Sequence, residues 1–126
     1  MAGSKRSFTV AITVPPGQEV SGITVFLDYP EGQVSILGTG SDTNVRASIT
    51  GLPSGTFGTP NDLDYALREV VASLGTIAPG PLFTVGFQDC QGAQPPAASA
   101  FKCTVQDAVD SFGLPVVGVT CAVQAN

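Results

Sequence analysis

The first apolar run of the chain alternates strictly between large apolar residues and small or polar ones. In residues 7–14, SFTVAITV, every second residue is Phe, Val or Ile. Because successive side chains of a strand point to opposite faces, this period of two predicts a strand with one buried face. Pro15, Pro16 and Gly17 follow and predict a turn.

The second run, residues 20–30, predicts another strand with one buried face. Its apolar face carries Ile23, Val25, Leu27 and Tyr29. Its opposite face carries Thr24, Phe26 and Asp28. Phe26 is therefore a large aromatic residue between polar neighbours, on the face that points away from the predicted core.

Further strand patterns follow, separated by turns that are rich in Gly and Pro. They lie at residues 33–38, 45–50, 82–87, 101–109 and 116–123. With one segment between them, these runs make about eight strands without an internal repeat, which predicts an all-β fold of the β-sandwich type.

That remaining segment, residues 61–75, fits two structures. As a helix it lines up apolar residues on one face and ends at Gly75. As a strand it alternates from Leu63 to Leu67, and Glu69 then falls in an apolar position. Local propensity favours the helix, whereas the surrounding strands favour a strand.

Composition and charge narrow the class of protein. The 126 residues suit one domain, and we assign residues 1–6 to a linker or to added residues and residues 7–126 to a single domain. The net charge is −5, and the five basic residues are scattered, so nucleic-acid binding is not predicted. No run of about 18 apolar residues occurs, so no membrane span is predicted.

The chain contains no histidine, the usual base for a catalytic cysteine. Three cysteines without histidine fall short of the four ligands of a structural zinc site. Asp62 and Asp64 share a face if they lie on a strand, and we interpret them as a solvated edge rather than a calcium site. We therefore predict no catalytic residue, no metal and no cofactor, and a protein that is not an enzyme.

Cys90, Cys103 and Cys121 lie in apolar, strand-like runs and are interpreted as structural. A bond between Cys90 and Cys103 closes a 12-residue loop, worth about 2–3 kcal/mol. A bond between Cys103 and Cys121 suits a simple hairpin, but strands in two facing sheets lie about 10 Å apart, beyond the reach of a disulfide. We predict Cys90–Cys103, with Cys121 buried, in a secreted protein that is extracellular or on the cell surface.

Several segments resemble the strand motifs of cohesin modules, which are nine-stranded jelly-roll sandwiches that bind dockerins in extracellular assemblies. GITVFLDYPEGQVSIL is similar to the strand–YDP–strand signature, DLDYALREVVAS to the middle strand, and PGPLFTVGF to the GxLFTVTF strand. The terminal hairpin is similar to the last two strands, and the three cysteines resemble a cohesin-like subgroup of large secreted bacterial proteins. In this chain Asp28 precedes Tyr29-Pro30, and the usual first strand is absent.

The resemblance covers about residues 7–124 and implies an all-β, jelly-roll β-sandwich of eight to nine strands. It also implies a strand rather than a helix for residues 61–75. The implied function is a non-catalytic protein–protein interaction module whose partner is a dockerin-like module, helical and loaded with Ca²⁺.

Cohesins hold the dockerin on the flat face of one sheet. Carried onto this sequence, that face implies partner-binding residues at Thr24, Phe26, Asp28, Tyr65 and Arg68. An apolar centre with a polar rim suits such a surface. In the alternative interpretation, a loop covers Phe26, which then belongs to a two-faced core.

Two further functions fit the sequence. A structural spacer or self-assembling subunit of a bacterial surface layer or filament needs no site, and low charge with abundant Gly, Pro and Ala suits it. A carbohydrate-binding module stacks sugars on exposed aromatic rings; this chain has no Trp and only two Tyr residues, which weakens that hypothesis.

Overall fold

The structure of the protein is a computed structural model that describes residues 5–30, 32–63, 65–90, 92–94 and 96–126. Residues 1–4 of the predicted linker and Asp64 lie outside the described residues. The predicted all-β class is confirmed, since strands dominate and form two antiparallel sheets around one core.

The five-stranded sheet has the order β3-β7-β1-β9, with β4 also paired to β7. It contains β1 (Lys5–Thr13), β3 (Val34–Ser35), β4 (Ile49–Thr50), β7 (Gly80–Asp89) and β9 (Thr120–Ala125). The four-stranded sheet has the order β5-β6-β2-β8. It contains β2 (Val20–Asp28), β5 (Thr56–Asp62), β6 (Ala66–Ile77) and β8 (Lys102–Val109).

The core lies between the two sheets and is filled by the apolar faces that alternation predicts. β1 contributes Phe8, Val10 and Ile12, and β2 contributes Ile23, Val25 and Leu27. The ring of Phe8 lies 4.2 Å from that of Phe101, centroid to centroid. Burial of such residues is the main stabilising contribution to a domain of this size.

The predictions of strands at residues 116–123 and 45–50 are each wrong in the first half. In the former, β9 begins only at Thr120. Residues Thr43–Ala47 form a short helix, α1, and only Ile49 and Thr50 are extended, as β4. Asp42 caps α1, because its side chain accepts a hydrogen bond from Val45 N at 2.9 Å. Val45 alone of the α1 residues is buried.

The strand prediction for residues 61–75 is confirmed over most of its length. Residues 61 and 62 end β5, and β6 carries the chain from Ala66 to Ile77. Leu67, Glu69 and Val71 all point into the core, which is the alternation of a strand. A helix does not form because β6 is paired on both sides, with β5 and with β2.

The predicted Cys90–Cys103 disulfide is wrong, since the structure pairs Cys103 with Cys121 and leaves Cys90 free. β8 and β9 do lie in different sheets, as the sequence argument assumed. Both are edge strands on the same side of the molecule, and there the sheets converge until the two Cα atoms are 5.8 Å apart. That separation is ordinary for a disulfide.

No helix among the described residues is long and apolar enough to cross a membrane.

Candidate functional site

The four-stranded sheet places the predicted residues of β2 on its outer face. Ile23, Val25 and Leu27 are buried between the sheets, so Thr24, Phe26 and Asp28 lie on the outer side. Thr24 is nevertheless buried there, with 9% of its surface exposed. Phe26 is half-buried rather than covered by a loop. It occupies the middle of the sheet, with Arg68 of β6 on one side and Thr104 of β8 on the other.

The remaining predicted residues lie around Phe26. Arg68 is exposed and is the direct cross-strand neighbour of Phe26. Asp28 pairs with Lys102 of β8, one step towards the end of the sheet. Tyr65 is exposed in the turn just before β6, and its carbonyl accepts a hydrogen bond from Tyr29 N. All five predicted residues therefore belong to one face or its border.

The same face continues into an apolar half that sequence reasoning missed. Val70 and Ala72 of β6 follow Arg68 on the outer side. Phe57 of β5 pairs with Ala72 and is 66% exposed, and Leu74 further along β6 is 93% exposed. We call Phe26, Phe57, Val70, Ala72 and Leu74 the partner face.

Gly22 keeps this face flat. It pairs with Ala72 on one side and Val109 on the other, and a Cβ atom placed there would lie 3.0 Å from Val109 Cγ2. A larger residue at this position would displace Val109. The cross-strand row formed by Phe57, Ala72, Gly22 and Val109 therefore has its smallest side chains in the middle and the ring of Phe57 at one end.

The outer face of the five-stranded sheet has a different character. Apart from Lys5 at the start of β1, its outward positions on β1, β7 and β9 carry small or polar residues, namely Ser7, Thr9, Ala11, Thr13, Thr84, Gly86, Gln88, Thr120, Ala122 and Gln124. Thr9 and Thr84 share a hydrogen bond of 3.0 Å across the strands. This pair of hydroxyl groups is satisfied within the sheet.

Phe57 escaped prediction because Gly and Pro hide its strand. The segment Thr56–Asp62 reads TFGTPND, which resembles a turn, but it is an edge strand. Pro60 is tolerated there because an edge strand has one side free of ladder hydrogen bonds. The one available signal was the apolar ring of Phe57, which stands between Thr56 and Gly58 in a turn-like segment.

Glu69 is buried on the inner side of β6, with no exposed surface. Neither carboxylate oxygen has a hydrogen-bond partner of good geometry among the described residues. Gly58 makes room for it, since a Cβ atom there would lie 2.7 Å from Glu69 Oε1. Burial raises the pKa of Glu69 to about 7, and the attractions of Arg46 and of the Thr59 N–H oppose that rise only in part.

Asp62 is not a solvated edge residue, contrary to the sequence interpretation. It is half-buried and accepts a hydrogen bond of 2.6 Å from the Tyr29 hydroxyl. The bond joins the end of β2 to the end of β5. Asp64, the other half of the predicted pair, lies outside the described residues.

None of the family models, curated proteins or solved structures compared with this chain matches it. The cohesin resemblance therefore stays a prediction that the sequence motifs carry alone.

Proposed function

We propose that this protein is a non-catalytic protein–protein interaction module and that its partner binds the partner face. The single observation that carries the proposal is the contrast between the two outer faces. One sheet presents Phe57 and Leu74, 66% and 93% exposed, on β5 and β6, whereas the outward positions of the other sheet carry mostly small or polar residues. Large exposed apolar side chains on one contiguous face are typical of interaction sites.

The chemistry of the partner face suits a protein rather than a small molecule. The partner face is a sheet surface, and its apolar residues are bordered by charged groups, of which Asp28, Arg68 and Lys102 are examples. An apolar centre that excludes water, with a charged rim that sets register, is the usual anatomy of an interface. A helical partner of the dockerin type, laid across the strands, is the occupant that the cohesin resemblance implies.

The finer fold assignment and the location belong to the same proposal. A jelly-roll connection of the strands is supported by the cohesin-like order of motifs. An extracellular location is supported by the Cys103–Cys121 disulfide, because such bonds persist mainly in oxidising compartments.

The test is binding of Ca²⁺-loaded dockerin modules, measured by calorimetry and by hydrogen exchange. We expect binding, with amide protection confined to β2, β5 and β6. Phe57→Ser and Leu74→Ser change exposed side chains, so the fold should persist. If they are central contacts, each should weaken binding by about 30-fold or more.

Phe112→Ser is the matched control, since Phe112 is also an exposed phenylalanine but lies in the loop between β8 and β9. It should bind the dockerin as the native chain does. Absence of binding to any dockerin, or binding that Phe57→Ser leaves unchanged, would contradict the proposal. Binding to a glycan array through Tyr65 would favour the carbohydrate-binding alternative instead.

A further inference from the structure

A second exposed apolar surface lies at one end of the molecule, in residues 110–118 between β8 and β9. Phe112, Leu114 and Val117 are 86%, 60% and 84% exposed within this one segment. We call it the apolar loop. Single exposed apolar residues are common, but three large ones within six positions form a patch that water solvates poorly.

Hydrogen bonds hold the apolar loop in one conformation. The side chain of Asp110 accepts from Phe112 N at 2.9 Å and from Leu114 N at 3.0 Å. The backbone of Asp110 also bonds to Leu114 and Gly113. Val116 is buried and anchors the far side. A loop that is already ordered loses little conformational entropy when it binds, which favours recognition.

The end of the molecule that carries this loop has only acidic charges. Pro15, just after β1, lies beside Gly118, and Glu19 lines a surface depression together with Asp110 and Phe112. The connections at this end, residues 14–19, 73–80 and 110–119, contain no Lys or Arg. An acidic rim disfavours an anionic membrane surface and favours a basic partner.

A groove with the complementary character lies on the outer face of the five-stranded sheet, between β7 and α1. Its volume is about 300 Å³, at the lower end of ordinary ligand pockets. Leu37 and Ala47 give it an apolar lining, and Lys5 stands at its side. We call it the β7 groove.

The β7 groove and the apolar loop lie at opposite ends of the molecule. Lys5 pairs with Gln88 where β1 begins, whereas the apolar loop lies beside Pro15, where β1 has ended. One end is therefore apolar and acidic, whereas the groove near the other end has an apolar lining with the cation of Lys5 beside it.

We propose that the apolar loop of one copy inserts Phe112 into the β7 groove of the next copy. Because the two surfaces are unlike and lie at opposite ends, the contact is heterologous and leaves a free loop and a free groove on every pair. Association then continues head to tail into open chains. The contact uses neither strand nor side chain of the partner face, so it is independent of the function proposed above.

The test is the weight-average mass in sedimentation, measured up to about 1 mM, where weak contacts become populated. We expect the native mass to rise steadily with concentration, without stopping at a dimer, and to fall with added salt. Phe112→Ser should remain monomeric, while Phe57→Ser, an equally exposed phenylalanine on another face, should assemble normally.

Gly86→Leu is the variant on the groove side. Gly86 lines the groove with an ordinary backbone, and a Cβ atom there would meet only Ser48 O, at 3.7 Å, so the fold should accept a side chain. It should also remain monomeric. A mixture of Phe112→Ser with Gly86→Leu retains one intact groove and one intact loop, so it should form a dimer and stop there.

Three outcomes would overturn the proposal. They are a native chain that stays monomeric up to about 1 mM, assembly that neither variant reduces, and a mixture of the two variants that does not dimerise. Flotation with phosphatidylcholine vesicles tests a membrane surface as the other possible partner of the apolar loop. If the native chain is monomeric and floats with vesicles, while Phe112→Ser does not, the apolar loop is assigned to a membrane surface instead.

Discussion

The two long edges of the molecule are closed in different ways. At the disulfide edge, where β8 and β9 meet, a covalent bond joins Cys103 to Cys121 across the two sheets. At the crossover edge, residues 36–55 pass over the gap between β5 and the edge of the five-stranded sheet. That edge is held by hydrogen bonds, and beside it lies the carboxylate of Glu69, which has no hydrogen-bond partner among the residues that the structure describes.

The hydrogen bonds of the crossover edge converge on Asp62. Its backbone exchanges two hydrogen bonds with Gly40, and its side chain accepts one from Tyr29. The Ser41 hydroxyl donates to the neighbouring Pro60 carbonyl at 2.7 Å. The stabilisation of the disulfide edge does not depend on pH. The stability of the crossover edge does depend on pH, because this edge includes Glu69, whose carboxylate is desolvated in the fold.

The largest expected effect comes from opening the disulfide edge. Cys103→Ala combined with Cys121→Ala removes a bond that links residues 18 apart. Loss of the loop constraint in the unfolded chain should lower the free energy of unfolding by about 3 kcal/mol. Urea unfolding at fixed pH measures the change.

Cys90→Ala is the matched control, because Cys90 is half-buried and in no disulfide. It should change the free energy of unfolding by less than about 1 kcal/mol. An equal loss in the control and in the double variant would show that the covalent bond does not close this edge.

The next effect concerns Glu69, whose replacement should raise the free energy of unfolding rather than lower it. The pKa of Glu69 is about 7 in the fold and about 4.5 in the unfolded chain, so the folded state binds the proton more tightly. Its contribution to stability is fully present below pH 4.5 and is lost as the pH rises through 7. The difference corresponds to about 3 kcal/mol at most.

Glu69→Met should therefore raise the free energy of unfolding at pH 8 by up to about 3 kcal/mol and flatten its decline between pH 5 and pH 8. Unfolding in urea at several pH values measures both quantities. Glu19→Gln alters an exposed acid and serves as the control. A decline that persists unchanged in Glu69→Met would mean that Glu69 is charged and compensated in the fold.

The smallest expected effect tests the hydrogen bonds of the crossover edge. Tyr29→Phe removes the 2.6 Å bond to Asp62 without removing the ring from the core. It should lower the free energy of unfolding by about 1.5 kcal/mol, as expected for a hydrogen bond to a charged group. Thermal unfolding measures the loss, and an unchanged transition would assign no net stabilisation to this bond.

Much of the sheet structure could be predicted from local alternation. The inward and outward residues of β1 and β2 follow from period two alone, and so do the outward positions of Phe26 and Arg68. The helix at Thr43–Ala47 was missed because its five residues span barely more than one turn, too few to show a helical period. Phe57 was missed because Gly and Pro in β5 mask an edge strand.

The sequence by itself determined the all-β class and the faces of most strands. These depend on each residue and its near neighbours in the chain. The tertiary structure alone decided that Cys103 meets Cys121, that Phe57 extends the face of Phe26, and that Glu69 is buried. Each depends on which distant strands pair, and the alternation within one strand does not specify which other strand will lie beside it.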